Sequence, residues 1–193
     1  MSGITPTVIT EREKYELVWG QVDRYGKDWM NPGLAGSIKR WITAAIPKGA
    51  TVMDFGCGNG SSLAWLASSG YEPSGVEIAR NATVRTDVII GDLRKIPALP
   101  ESSFGLCTDL MEHIPTADVD RVLQLISATV VSRCLFVIAR DQDKDGAAIG
   151  QELHLTRKPR EWWDEHILKW FKSVELLHYE PSAESAYCLW ASH

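Results

Sequence analysis

The fold of this chain is indicated most clearly by one stretch, Val52-Met53-Asp54-Phe55-Gly56-Cys57-Gly58-Asn59-Gly60. An apolar run leads into Asp54, and glycines then stand at three alternate positions. Glycine permits a tight turn and lets a ligand approach bare backbone. After a parallel strand, such a turn lies at the carboxyl edge of the sheet, where open α/β sheets bind their ligands. The stretch therefore predicts a strand and a ligand-binding turn that opens a helix.

Asp54 narrows the class of ligand. A dinucleotide site presents backbone N–H groups to a pyrophosphate, and a carboxylate before the turn would repel that group. The same carboxylate would attract an ammonium group. S-adenosylmethionine (SAM) carries an ammonium and a sulfonium but no phosphate, so it suits this turn better than a dinucleotide does.

Four motifs follow one another along the chain: Asp54–Gly60, Gly75-Val76-Glu77-Ile78, Gly91-Asp92-Leu93 and Phe104–Pro115. In this order and spacing they resemble the class I SAM-dependent methyltransferases, in particular the small, type-11-like branch. The first motif matches that family's acid-x-Gly-x-Gly-x-Gly loop without a gap. The resemblance covers roughly residues 48–190. It implies a Rossmann-like methyltransferase fold, with SAM as cofactor and S-adenosylhomocysteine as product.

The resemblance also implies residues that bind the methionine and ribose parts of SAM. Asp54 would face the ammonium group. Gly56, Cys57 and Gly58 would form the loop on which the methionine portion lies. Glu77 would accept both ribose hydroxyls, which suits a carboxylate because it has two acceptor oxygens. Any one of these acids could instead be a strand-end or capping residue.

At the adenine and the methyl group, the resemblance implies three further contacts. Asp92 would accept the adenine N6 hydrogens, and the Leu93 amide would reach a ring nitrogen. Asp109 ends the fourth predicted strand, so it would lie beside the methyl donor. Asp109 is therefore a candidate both for cofactor binding and for catalysis.

Methyl transfer from a sulfonium is an in-line displacement whose leaving group is a neutral thioether. The enzyme must position donor and acceptor and, for a protonated acceptor, remove a proton. His113 and His154 are candidates for this step because an imidazole titrates near neutral pH. His154 is also a candidate substrate contact. The alternatives are a loop histidine bonded to backbone for His113 and a structural cap for His154.

Aromatic residues ahead of the glycine loop are candidates for acceptor binding. Tyr25 and Trp29 could line an acceptor pocket, together with Tyr15. Trp19 and Trp41 are favoured to pack helix faces on the sheet edge. Residues 1–46 are predicted to supply helices that cover the substrate, and residues 47–193 the SAM-binding methyltransferase domain, within one compact domain.

Hydrophobic periodicity and turn residues predict twelve elements. Helices are predicted at 11–25, 34–46, 61–69, 116–131 and 159–168. Strands are predicted at 51–54, 73–78, 87–92, 104–109, 134–139, 171–179 and 185–191. This order predicts a doubly wound, mostly parallel seven-stranded sheet with an antiparallel last strand. Residues 79–86 are too few for a full crossover helix, and 140–158 are predicted to form a loop that serves as a lid.

Composition favours a cytoplasmic globular protein. The motifs of DNA-methylating enzymes are missing, which leaves a small molecule, a lipid headgroup or an unusual macromolecule as acceptor, and we expect a small molecule. The 193 residues are 45% hydrophobic, and neither a membrane span nor a secretory signal is visible. The four cysteines are far apart, so we predict reduced thiols and no metal site. A formal net charge of −5 leans against nucleic acid without excluding it. The oligomeric state and the acceptor stay open.

Two other functions fit the same motifs. The chain could be a SAM-binding enzyme of different chemistry, such as SAM cleavage or aminopropyl transfer. It could also be a non-catalytic subunit of the SAM fold that stabilises a partner. The intact glycine loop and the three acids argue against the second alternative, because a subunit that binds no ligand need not retain them.

Overall fold

One sheet organises the part of the chain that the computed structural model describes, which is residues 9–21, 34–141, 143, 146–179 and 186–193. Its seven strands are β1 (Thr51–Phe55), β2 (Glu72–Glu77), β3 (Val88–Ile90), β4 (Ser102–Thr108), β5 (Val130–Ile138), β6 (Ser173–His178) and β7 (Tyr187–Ser192). Their order in the sheet is β3-β2-β1-β4-β5-β7-β6. β7 runs antiparallel to both of its neighbours. The predicted fold class is confirmed.

The strand order reverses between β1 and β4. The chain moves outward from β1 through β2 to β3, and then returns to the other side of β1 with β4 and β5. At such a switch point the loops that follow the strands diverge, so they leave a crevice at the carboxyl edge of the sheet. The glycine loop follows β1 and therefore lies in this crevice.

Five helices are described: α1 (Glu11–Trp19), α2 (Ala35–Ala45), α3 (Ser61–Ser68), α4 (Val119–Thr129) and α5 (Arg160–Ile167). The sheet has helices on both faces, because α2 and α3 belong to one buried apolar cluster while α4 and α5 belong to another. The apolar stripe predicted for α4 is buried throughout. Short 3-10 turns precede α4 and occur in the loop after β5.

α1 ends earlier than predicted. A capping box between Thr10 and Glu13 begins the helix, and the helix stops at Trp19 rather than near residue 25. Gly20 follows as the cap, with its N–H bonded to the Glu16 carbonyl at 3.0 Å. Glycine is a poor helix former because it loses the most backbone entropy on folding. Residues 22–25 of the predicted helix lie outside the described residues.

Other elements differ from prediction in smaller ways. α3 ends at Ser68, one residue earlier than predicted. β5 begins at Val130, since the chain becomes extended there as α4 ends. Residues 79–87, all of them described, form no helix, as predicted. β3 is therefore left as an open edge strand, with Ile89 and Ile90 exposed.

The two adjacent tryptophans of α5 differ in burial. Trp163 is buried in the core, while its neighbour Trp162 is half-buried and stacks on the His166 ring at 3.8 Å. The four cysteines, all described, are free and buried. Among the described residues, no helix is both long and apolar enough to cross a membrane.

Candidate functional site

A pocket opens at the carboxyl ends of β1, β2, β3 and β4, and one face of α1 covers it. The residues that line it are Glu11, Tyr15, Trp19, Gly56, Gly58, Val76, Glu77, Ile78, Gly91, Asp92, Leu93, Arg94, Asp109, Leu110, His113, Ile114 and Pro115. The structure thus brings together six of the residues predicted for the site: Gly56, Gly58, Glu77, Asp92, Leu93 and Asp109. His113 joins them at the far end of the same pocket.

The glycine loop has a conformation that other residues rarely adopt. Gly56, Gly58 and Gly60 have φ angles of 75°, 53° and 77°, in the left-handed region that costs other residues about 1–2 kcal/mol. A Cβ atom added to Gly58 would lie 2.7 Å from the Trp19 ring. The bare backbone of Gly58 therefore forms part of the pocket wall, and any side chain there would fill the space beside it.

The side chain of Cys57 points away from the pocket. It is buried, and its Sγ would lie 2.6 Å from a Cβ atom added to Gly75 on β2. The Cys57 N–H donates to the Val76 carbonyl at 3.1 Å. The predicted contribution of Cys57 to cofactor binding can therefore come only from its backbone.

Asp54 lies in β1, is 2% exposed and, unlike the other predicted cofactor residues with side chains at the site, does not line the pocket. The hydroxyl of Ser62 donates to its Oδ2 atom, whereas Oδ1 has no hydrogen-bond partner within the described chain. Burial raises the pKa of Asp54 to about 7, although the Ser62 bond opposes this shift, and the nearby Glu77 adds to it. A buried carboxylate oxygen without a donor is unfavourable, so an ammonium group of a ligand would stabilise this position.

Glu77 ends β2 and is held firmly at the pocket. The Gly58 N–H donates to its Oε2 and the Ala79 N–H to its Oε1, both at 2.9 Å. Burial raises the pKa of Glu77, and these backbone bonds oppose the increase. Each carboxylate oxygen retains acceptor capacity, so the pair of oxygens can still accept two hydroxyl groups.

Asp92 lies in the pocket with a partner that the motifs did not indicate. The Arg94 guanidinium donates to both carboxylate oxygens, at 2.8 and 2.6 Å. Burial raises the pKa of Asp92, but the bonds from Arg94 outweigh that effect, and the net pKa is lowered. Asp92 is therefore an oriented carboxylate, and the buried Leu93 lines the pocket beside it.

α1 forms the cover of the pocket. Glu11, Tyr15 and Trp19 recur at steps of four residues, so they share one face of the helix, and that face lines the pocket. The buried Lys14 ties α1 to the loop after β5, because its Nζ donates to the Glu152 carbonyl at 3.3 Å and pairs with Glu11 at 2.6 Å.

The expectation for Trp19 is wrong. Trp19 does not pack a helix face on the side of the sheet. It packs against the glycine loop, because α1 lies across the carboxyl ends of the strands. Trp41 packs against the core cluster of α2 and α3, as expected.

The far end of the pocket contains Asp109 and His113. Asp109 follows β4 with a φ angle of 49°, and its N–H donates to the Val137 carbonyl at 2.9 Å. The Nδ1 atom of His113 lies 3.1 Å from the Leu153 carbonyl. Burial lowers the pKa of His113 to about 3, with a further contribution from His154. His113 is therefore a neutral imidazole.

His154 contacts His113 but is not part of the pocket wall. The two rings meet edge to face with their centroids 4.8 Å apart. Nδ1 of His154 lies 2.8 Å from the Asp141 carbonyl. Tyr25 and Trp29, the predicted acceptor contacts, lie outside the described residues.

Sequence reasoning missed several residues that line this pocket, among them Glu11, Trp19 and Arg94. Arg94 stands two positions after Asp92, a spacing at which an ion pair could have been anticipated. Glu11 and Trp19 gave no such signal, because nothing in the sequence specified where α1 packs.

Comparisons with known proteins agree on the fold. A family model described as a methyltransferase domain matches residues 29–179. Magnesium protoporphyrin IX methyltransferase from Synechocystis, with bound SAM, is similar in structure, with a TM-score of 0.70 at 15% identity over 97% of this chain and 99% of that chain. A TehB-like SAM-dependent methyltransferase from Corynebacterium glutamicum has a TM-score of 0.63 at 16% identity over 94% of this chain and 98% of its own.

A third similar structure is phosphoethanolamine N-methyltransferase 2 from Haemonchus contortus, in complex with phosphomonomethylethanolamine and S-adenosylhomocysteine. It has a TM-score of 0.69 at 17% identity and covers 92% of this chain and 48% of its own. No curated protein sequence matches the chain.

Proposed function

Since this chain belongs to the methyltransferase domain family, we propose that it moves a methyl group from SAM to a small-molecule acceptor within the pocket under α1. One observation carries the proposal. A single pocket joins the glycine loop, Glu77 and Asp92 to Asp109 and His113. A donor site and an acceptor site therefore share one cavity, as a direct transfer between two bound molecules requires.

The donor lies along the ends of β1, β2 and β3. The unpartnered oxygen of Asp54 attracts the ammonium group of SAM, and the bare backbone of Gly56 and Gly58 allows the methionine portion to approach. Glu77 accepts the ribose hydroxyls. Asp92, oriented by Arg94, accepts the adenine N6 hydrogens, and the Leu93 amide reaches a ring nitrogen. Cys57 contributes through its backbone alone.

Catalysis on this proposal is mainly positioning. The sulfonium leaves as a neutral thioether, so the departing group needs no acid. Orientation of two bound reactants can supply up to about 7–11 kcal/mol of the barrier. α1 excludes water from the donor, because Tyr15 and Trp19 lie over the pocket.

The acceptor lies at the end where Asp109 and His113 line the pocket. His113 donates its Nδ1 hydrogen to the Leu153 carbonyl, so its Nε2 atom has a lone pair for a proton or a hydrogen bond. His154 packs against this ring and supports its orientation. Tyr25 and Trp29 remain candidates for the outer wall of the acceptor site.

Three observations favour a small acceptor. α1 covers the pocket, which leaves little room for a polymer. The formal net charge of −5 gives no general attraction for nucleic acid. Two similar structures are named for small acceptors, magnesium protoporphyrin IX and phosphoethanolamine.

Four buried free thiols also suit the reducing conditions of the cytoplasm.

The test is a parallel incubation of methyl-labelled SAM with a fractionated metabolite extract, with DNA, and without acceptor. We expect label in one metabolite fraction and none in DNA, with S-adenosylhomocysteine formed in equal amount. The Gly58→Val variant serves as the inactive control. Breakdown of SAM without any acceptor would favour SAM cleavage instead. Absence of bound SAM or S-adenosylhomocysteine in calorimetry would favour a non-catalytic subunit.

A further inference from the structure

Three side chains with metal-binding atoms meet beside the pocket. Glu112 and His113 belong to the 3-10 turn after β4 (Met111–His113), and His154 belongs to the loop after β5. One ligand atom from each residue lies within 4.8 Å of the other two. The chain separates His154 from the other two by about 40 residues, so only the fold brings them together.

Hydrogen bonds fix the tautomer of both histidines. Nδ1 of His113 faces the Leu153 carbonyl at 3.1 Å, and Nδ1 of His154 faces the Asp141 carbonyl at 2.8 Å. A carbonyl oxygen can only accept a hydrogen bond, so each Nδ1 carries the hydrogen. Each Nε2 therefore has a free lone pair. Metal-binding histidines are usually held in this way, with the second ring nitrogen donating to a carbonyl or carboxylate.

Glu112 supplies a carboxylate whose charge is not matched by its surroundings. Its side chain is fully buried, and Oε1 accepts the Ala139 N–H at 3.2 Å. Its Oε2 has no hydrogen-bond partner among the described residues. Two further acids, Asp109 and Asp141, lie near enough to repel its charge, and the cation Lys14 acts on the neighbouring His113. A buried acid in acidic surroundings is unfavourable unless a cation or a proton neutralises it.

We propose that Glu112, His113 and His154 bind one divalent transition-metal ion, with Zn²⁺ as the best chemical match. Two imidazoles and a carboxylate are a common ligand set of catalytic zinc sites, which keep a fourth position open. Ligand atoms around a tetrahedral zinc ion lie about 3.4 Å apart. Because the ligand atoms already lie within 4.8 Å of one another, binding would require them to approach by at most about 1.4 Å.

The ion would also define the acceptor, and this step rests on the proposed function. His113 borders the pocket, so the open position of an ion bound to it would face the acceptor end. A metal-bound hydroxyl loses its proton more readily. The acceptor on this inference is a compound with a hydroxyl oxygen. Its O–CH₃ bond would form as the S–CH₃ bond of SAM breaks, and the hydroxyl proton would leave to solvent, because the lone pair of His113 binds the ion.

Zinc titration of the chelator-treated full chain, followed by calorimetry, tests the site. We expect one ion per chain, with the affinity at least tenfold weaker in both Glu112→Gln and His154→Ala. His193→Ala is the matched control. His193 is exposed, and its N–H donates to the Ser132 carbonyl near the start of β5, whereas the proposed metal site lies near the carboxyl ends of the parallel strands. It should bind zinc as the wild type does. Unchanged affinity in both site variants, or no binding by the wild type, would overturn the site.

Nuclear magnetic resonance of the wild-type chain with ¹⁵N-labelled histidine avoids any dependence on how the variants fold. On addition of zinc, the Nε2 signals of His113 and His154 should shift while both Nδ1 atoms keep their hydrogens. Shifts confined to other histidines would contradict the proposal. Binding of S-adenosylhomocysteine and methyl transfer are measured on the same samples. Full methyl transfer by chelator-treated protein that binds no zinc would refute the metal site and leave the proposed function intact. Zinc binding without methyl transfer to any acceptor would support the metal site and refute the proposed function.

Discussion

The two ends of the pocket are built in different ways. At the donor end, Gly58, Glu77 and Asp92 each lie at the end of a parallel strand or just after it, so the sheet alone brings them to one edge. At the acceptor end, His113 is held by the loop after β5, through the Leu153 carbonyl and the ring of His154. The donor end is therefore specified by local sequence, whereas the acceptor end depends on how two loops pack.

The largest effect on the donor end is expected at Gly58. We expect Gly58→Val to weaken SAM binding by at least a hundredfold, because valine disfavours the left-handed backbone that this position requires and its side chain would meet the Trp19 ring. Calorimetry with S-adenosylhomocysteine measures the loss. Gly49→Val is the control, since Gly49 has a φ angle of 79° but open space around it. That variant should lose stability and keep its affinity; unchanged affinity in Gly58→Val would remove the loop from the donor site.

His113 separates the two ends by function. We expect His113→Ala to lower turnover on the identified acceptor by about a hundredfold, because the lone pair beside the acceptor is lost, whether it binds a proton or an ion. Its affinity for S-adenosylhomocysteine should change less than twofold, because His113 lies at the acceptor end. Steady-state rates and calorimetry on the same preparation give both quantities, with His193→Ala as control. Equal losses in turnover and affinity would assign His113 to the donor end.

Glu77 tests whether the donor end depends on charge. Glu77→Gln keeps the shape of the side chain but removes its negative charge. We expect about tenfold weaker binding of S-adenosylhomocysteine, since hydrogen bonds to charged groups contribute about 1.5–3 kcal/mol. The exposed Glu72 at the start of β2 provides the control, as Glu72→Gln. Equal affinity in the two variants would exclude a ribose contact at Glu77.

The smallest effect concerns pH. The pKa of Asp54 is about 7 because the side chain is buried, so at pH 6 most molecules without ligand hold a proton there. An ammonium group favours the ionised form, and binding of SAM should release that proton. We therefore expect affinity to rise several-fold between pH 6 and pH 7.5. Calorimetry in buffers of different ionisation enthalpy counts the proton, and Asp54→Asn should flatten the dependence.

The same pKa has a consequence for stability without ligand. A carboxyl group whose pKa is raised on folding favours the folded state fully below its unfolded pKa near 4. That contribution is lost as the pH rises through about 7. Thermal unfolding of the ligand-free chain should therefore show a decrease in stability over this range that Asp54→Asn lacks. A flat profile in the wild type would contradict the burial of an ionisable Asp54.

Patterns that repeat along the chain predicted most of the fold. Alternating strands and helices gave the doubly wound sheet, and the family match confirms the methyltransferase class. Effects that depend on packing were not predictable. Trp19 covers the glycine loop because α1 crosses the carboxyl ends of the strands. No pattern in the sequence indicates Glu112 as a candidate metal ligand, because only the fold brings His154 near it. The type-11-like branch, the division at residue 46 and the cytoplasmic location stay predictions.

The position of β7 has a consequence for how the molecule assembles during synthesis. β7 lies between β5 and β6 in the sheet but follows both in the chain. Among the described strands, β6 pairs with β7 alone, so it cannot join the sheet until β7 has inserted between it and β5. Until that insertion, the facing edges of β5 and β6 present unpaired backbone donors and acceptors, which can pair with other chains. Closure of this side of the sheet is therefore a late step, which follows formation of the strands that carry the ligand-binding turns.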